Sequence, residues 1–148
     1  MSRNKVIKDI SCDETEAFVN RVMSNKEQSL FKAYIGELVK ASDDRGNDLS
    51  GYKVFIDNSG IKHTFKKHGN QKTEEARGQI AITVDDFNQL CEFVSDIQNL
   101  TYEGTKLNMD KLLAIIPKDD VLYFIIFELR TKRKELGLTT MYKRKFST

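Results

Sequence analysis

The sequence predicts an α+β protein: N-terminal helices followed by a mostly antiparallel four- to five-stranded sheet, with helices packed on one face. Three observations predict it. Apolar residues recur at spacings of three and four from Glu14 to Lys40, and again over 84–97. From residue 99 the period falls to two through four successive stretches. Helices first and strands last pack as a helical layer on a sheet.

In order, Phe18, Val22, Leu30, Phe31, Tyr34, Ile35, Leu38 and Val39 give the N-terminal segment a single apolar side. Ser11 or Asp13 caps a first helix there, and Ser24 or Asn25 a second. SDDRGNDLSG, 42–51, is a loop by composition, and a soft boundary falls in it. It separates a helical segment, 1–49, from a compact unit, 50–148. YKVFID, 52–57, alternates like a strand. NSG breaks it, Ser59 caps a short helix, and Gly69 ends that helix in a left-handed conformation. QIAIT, 79–83, reads as a short strand. Thr83 then caps VDDFNQLCEFVSDI, with Asp85 and Asp86 in the favourable first turn and Phe87, Leu90, Cys91, Val94 and Ile97 on one face. NLTYEG, KLLAIIPK, VLYFIIFELR and LTTMYKRK are the four late strands. VLYFIIF is apolar on both faces and is expected to be central and covered on both. Pro117 falls near a strand end, as its missing N–H requires.

A chain of 148 residues suits one domain. Its longest apolar run, 121–127, is far too short to span a bilayer, so no membrane role is expected. The N-terminus has no apolar core of a signal peptide, so export would rest on a larger carrier. The two cysteines have no metal-like spacing and suggest no disulfide framework; Cys91 reads as a small buried apolar residue. Neither a metal nor a small-molecule cofactor is expected. Net charge is +2, but residues 105–148 carry 10 basic against 5 acidic side chains. That tilt suits a polyanion, although a solvated tail carries the same charges.

Both histidines of the chain lie in IKHTFKKHGN, 61–70. On a helix, Ile61, Thr64, Phe65 and His68 share a stripe, and His63 lies round from it beside Lys67. His68 is then the packed, oriented imidazole and His63 the accessible one. Such a pair serves RNA cleavage without a metal. A base takes the ribose 2′-OH proton, and an acid protonates the departing 5′-oxygen. Cations such as Lys66 and Lys67 stabilise the charge gathered on phosphorus. TTMYKRK, 139–145, adds hydroxyls and cations on a last strand, with Thr140, Tyr142 and Arg144 on one side and Lys143 on the other. Both Tyr142 and Lys143 reach one cleft only if a bulge intervenes. Arg77 and Gln79 precede a strand and are candidate phosphate or base contacts. Each feature also has a plainer reading: helix-end histidines, a lysine-protected edge strand, a salt-bridged surface.

Taken together, IDNSGIKHTFKKHGN, EEARGQIAITVDDF and the strand pair ending in TTMYK resemble the phage-associated nucleases of the barnase–EndoU–colicin–RelE superfamily. The resemblance covers about 50–146. It implies a small α+β RNase toxin domain over 50–148, of the kind carried by phage head-morphogenesis and polymorphic toxin proteins. It implies metal-independent cleavage leaving a 2′,3′-cyclic phosphate. The family's H-x4-H pair falls on His63 and His68, and its T-x-Y-K element on Thr140, Tyr142 and Lys143. His63 is assigned as base and His68 as acid or orienting residue, an order open to reversal. Thr140 and Tyr142 would hold the phosphate; Lys66, Lys67, Arg77 and Lys143 would bind substrate. The expected substrate is tRNA or other looped RNA, acted on in the cytoplasm of a target cell, with Tyr142 or Tyr102 stacking on a base. A producer of such a toxin needs an immunity or antitoxin protein, expected to be acidic. The competing readings are a non-catalytic RNA-binding or phage structural module and an ADP-ribosyltransferase toxin. Against the latter stands the lack of a Glu-x-Glu or Gln-x-Glu motif on a late strand.

Overall fold

The computed structural model describes residues 5–24 and 30–146. The chain runs β1 (Lys5–Asp9), α1 (Thr15–Met23), β2 (Leu30–Glu37), β3 (Ser42–Asp43), β4 (Lys53–Asp57), α2 (Asn58–His68), α3 (Gln71–Ala76), α4 (Val84–Phe93), β5 (Asn99–Lys106), β6 (Met109–Lys118), β7 (Val121–Arg130) and β8 (Glu135–Lys145). One sheet holds eight strands in the order β1-β2-β4-β8-β7-β6-β5-β3. It is α+β as expected, but larger and more mixed. The pairs β1/β2, β4/β8 and β3/β5 are parallel. The N-terminal segment supplies β1, β2 and β3 where helices and a loop were expected, and β4 lies parallel to β8.

That expectation fails at 30–40. Phe31, Ala33 and Ile35 are buried and alternate with the half-exposed Lys32 and Tyr34, so the operative period is two. Gly36, at φ +146, sits at a bulge in the antiparallel pairing of β2 with β4. The sheet therefore runs across residue 49. Ser11 caps the entry to α1 through a reciprocal pair with Glu14 (Ser11 N to Glu14 Oε1, 3.1 Å). Ser24 ends α1 rather than starting a second helix, and Asn25 lies outside the described residues.

One face of the sheet carries the core. Phe18 of α1 meets Phe31 edge-on at 6.3 Å, and Phe93 of α4 meets Tyr123 at 5.1 Å. Leu112, Ala114, Ile125, Phe127 and Met141 point to this face and are almost completely buried. Thr83 caps α4 in a reciprocal pair with Asp86, and the five expected apolar residues of 87–97 are buried. β7 is an interior strand, but it is not covered equally on its two faces. Its second face carries Phe124, shielded by neighbouring side chains, and the half-buried Ile126. QIAIT forms no strand; Ile80 makes a single bridge to Lys143.

Cys12 and Cys91 form a disulfide, with Cα atoms 5.5 Å apart, that ties the turn before α1 to α4. This corrects the reading of Cys91 as merely an apolar side chain: two remote segments meet on the core face. Among the described residues no helix is long and apolar enough to cross a membrane.

Candidate active site

β4 pairs with β8 only from Lys53 to Phe55. The chain then turns into α2, which continues alongside β8. Glycine permits the close approach, because a Cβ on Gly60 would overlap the Leu138 carbonyl oxygen. Asp57, not Ser59, caps the helix: its Oδ1 accepts from Gly60 N at 2.9 Å. Burial raises the Asp57 carboxyl above its ordinary value, and Glu128 adds to this against the Gly60 bond, Arg130 and Lys32. Gly69 ends α2 at φ −95, so the expected left-handed exit is absent.

His68 occupies the last turn, with its side chain 12% exposed. Its Nδ1 lies 3.1 Å from Oε2 of Glu74, a wholly buried carboxylate from α3. The other Glu74 oxygen accepts from Arg77 Nη1 at 3.0 Å, and the same nitrogen donates to the Lys67 carbonyl at 3.0 Å. The carboxylate behind Nδ1 favours the tautomer that leaves Nε2 for other chemistry. The His68 ring lies 5.2 Å from the Tyr142 ring at a tilt of 32°. Tyr142 in turn stacks on Phe124 at 4.8 Å and 2°.

His63 is half-buried on the same helix. Its imidazole is held below its ordinary value, first by burial, then by the charges of Lys67, His68, Lys106 and Lys66. The two histidines are thus within electrostatic reach of one another, and so is Lys106 of β5. The Tyr142 phenol is pushed up, chiefly by burial, with Glu103 adding and Arg144 opposing, so it stays a donor at neutral pH.

The β7–β8 register shifts between Ile126 and Phe127. Thr139 is the extra residue, so Thr139 and Thr140 both join Tyr142 on the face away from the core. Thr140 is 8% exposed, and its hydroxyl has no hydrogen-bond partner among the described residues. Lys111 of β6 reaches across to donate to Thr139 Oγ1 at 3.2 Å, with Glu128 4.0 Å away.

Of the sequence candidates, His68, Tyr142 and Thr140 gather on one side of β8. His63, Lys66 and Lys67 share the helix beside it, both lysines exposed. Lys143 is carried to the opposite face. It pairs there with the buried Asp86 at 3.0 Å, and Asp86 also accepts from Tyr123 at 2.5 Å. Arg77 braces Glu74 rather than facing the cleft. Glu74 and Lys111 escaped sequence reading, and Thr139, which a regular strand puts on the side of Lys143, is turned to the other face by the bulge. An acidic pair in KTEEAR gives no sign of which member is buried, and nothing local announces the bulge. Among the described residues no group of three or more His, Cys, Asp or Glu side chains is placed to hold a metal ion.

A helix bearing two imidazoles is thus laid along the last strand of an α+β sheet. The chain belongs to the phage-Barnase-EndoU-ColicinE5/D-RelE like nuclease3 family, which matches residues 32–148. The match begins inside β2, ahead of the boundary expected from composition. No curated protein and no solved structure matches the chain.

Proposed function

We propose that this nuclease-family domain is a metal-independent endoribonuclease toxin. It cleaves RNA by attack of a ribose 2′-OH on the adjacent phosphorus, leaving a 2′,3′-cyclic phosphate and a free 5′-OH. The observation that carries the reading is His68, held at Nδ1 by buried Glu74 and set against Tyr142. That is the arrangement of an imidazole oriented for proton transfer.

His63 serves as the base, because its lowered pKa keeps it unprotonated near neutral pH. It takes the 2′-OH proton as the oxygen bonds to phosphorus. His68, acting as an imidazolium with Nδ1–H held by Glu74, gives its Nε2 proton to the departing 5′-oxygen and keeps the Nδ1 proton. Tyr142 and Thr140 donate hydrogen bonds to the phosphoryl oxygens. Lys111, on the same face as Thr140, joins Lys67 in offsetting the charge gathered on phosphorus, in place of Lys143. The exposed Lys66 and Lys67 draw in the RNA backbone, whose loops, tRNA included, present reachable bases. Such a toxin acts in the cytoplasm of a target cell, carried there by a phage or a secreted protein. In its producer, an acidic immunity protein would cover the same cations.

The test is cleavage of total RNA and of purified tRNA in EDTA, with wild type beside His63→Ala and His68→Ala. Cleavage to cyclic-phosphate ends, lost by about 10² or more in either folded variant, supports the reading. Intact RNA, bound equally by all three proteins with salt-sensitive affinity, identifies a binding module instead.

A further inference from the structure

The rings that the sequence offered for base stacking are already engaged. Tyr142 is in contact with Phe124 and His68. Tyr102 lies under the Arg45 guanidinium at 3.8 Å and bonds Thr105 through its hydroxyl. The open face of the sheet, however, holds an apolar floor beside Tyr142. Ile115, Phe124 and Tyr142 form one cross-strand row, and Leu113, Ile126 and Thr140 form the next. Ile115 is 52% exposed in the middle of this sheet face, whereas Leu112 and Ala114 beside it point into the core. Cations stand at both ends of the floor: Arg144, 4.9 Å over Phe124, and Lys111, which bonds Thr139 and has Glu128 4.0 Å away. Thr140, whose buried hydroxyl has no partner among the described residues, lies in the second row.

We infer that this floor is a nucleobase subsite, taking a base next to the scissile phosphate on Ile115, Leu113 and Ile126. It rests on the ribonuclease reading for its neighbour, the phosphate, but not for its own chemistry. A nucleobase is a flat, weakly polar disc joined to anionic phosphates. A flat apolar surface with a cation at each end complements that outline.

The experiment measures binding without turnover. Short 2′-deoxy oligonucleotides lack the attacking hydroxyl, so they bind but are not cut by the proposed route. An intact oligomer is compared with a series in which one base at a time is removed to leave an abasic sugar. The expected result is one position whose loss weakens binding about tenfold, the scale of a stacked base. Ile115→Ser should weaken the intact oligomer to the level of that abasic one and leave the abasic one unchanged. Ile115→Phe should strengthen only the intact oligomer. Equal affinity across the abasic series, or no binding at low salt, overturns the inference. Base-dependent binding while the matching RNA survives in EDTA keeps the subsite and removes the ribonuclease reading. Cleavage with no base dependence does the reverse.

Discussion

Glu74 holds His68 from a separate short helix: Oε2 lies 3.1 Å from Nδ1, and the carboxylate is wholly buried. Arg77 keeps the other oxygen occupied at 3.0 Å, so the carboxylate is fixed from both ends. Glu74 does not face the substrate; it is a positioning residue. Glu74→Gln should therefore lower kcat about tenfold or more, with KM little changed and the shape of the pH–rate profile altered. A matching loss of Tm with an unchanged profile in the folded fraction would reduce Glu74 to a packing role.

The acid limb of kcat/KM should lie below pH ~6.5, the ordinary histidine value. A general base works unprotonated, and His63 is held low first by burial and then by neighbouring cations. Activity is then present above the lowered pKa and lost as pH falls through it. Lys67→Gln combined with Lys106→Gln should move that limb upward, more so at low ionic strength. A limb that stays put would exclude His63 as its source.

Two lysines on opposite faces of the sheet should separate cleanly. Lys143→Met removes the partner of buried Asp86 and should cost about 2 kcal/mol of stability, with turnover per folded molecule retained. Lys111→Met should leave stability nearly intact and lower kcat by about 10². Chemical denaturation and initial rates, measured on the same preparations, decide between this pattern and its inverse.

The start of α2 should be sensitive at one residue and tolerant at its neighbour. Gly60→Ala meets the Leu138 carbonyl and should cost at least about 2 kcal/mol. Asp57→Asn keeps an accepting cap oxygen and removes a buried charge, so it should be neutral or stabilising near pH 7. Burial raises the Asp57 carboxyl in the folded state, so the charge costs most above that raised value. The advantage of the asparagine should fade as pH falls and the native carboxyl takes up a proton. Thermal melts of both proteins from pH 4 to pH 7 read this directly.

The Cys12–Cys91 bond closes 79 residues of sequence separation. Its reduction, or Cys12→Ser with Cys91→Ser, should lower stability by about 4 kcal/mol. Melts with and without reductant test it: wild type should shift and the double variant should not.

The elements legible in the sequence were those decided locally. α4 announced itself by the Thr83 cap and a helical apolar period, and β5 to β8 by alternation and short turns. β2 was not legible, because LFKAYIGELV offers apolar residues at spacings of two as well as three and four. Pairing with β4 selects between them. The site divided the same way. Two histidines on one capped segment were visible, and period two correctly set Lys143 apart from Thr140 and Tyr142. Thr139 was hidden by a bulge that exists only against β7. Glu74 was hidden because an acid's burial depends on what folds over it, and the cysteine pairing because it joins segments that meet only in space.

The same cross-link governs how the chain could travel. A linear polypeptide passes through a narrow opening one residue wide. A chain closed on itself between residues 12 and 91 cannot. Where the closed loop enters, it presents two strands side by side, so the opening must admit a doubled thread or the bond must first be reduced. The redox state at the near side of a barrier thus sets the bore that this protein requires.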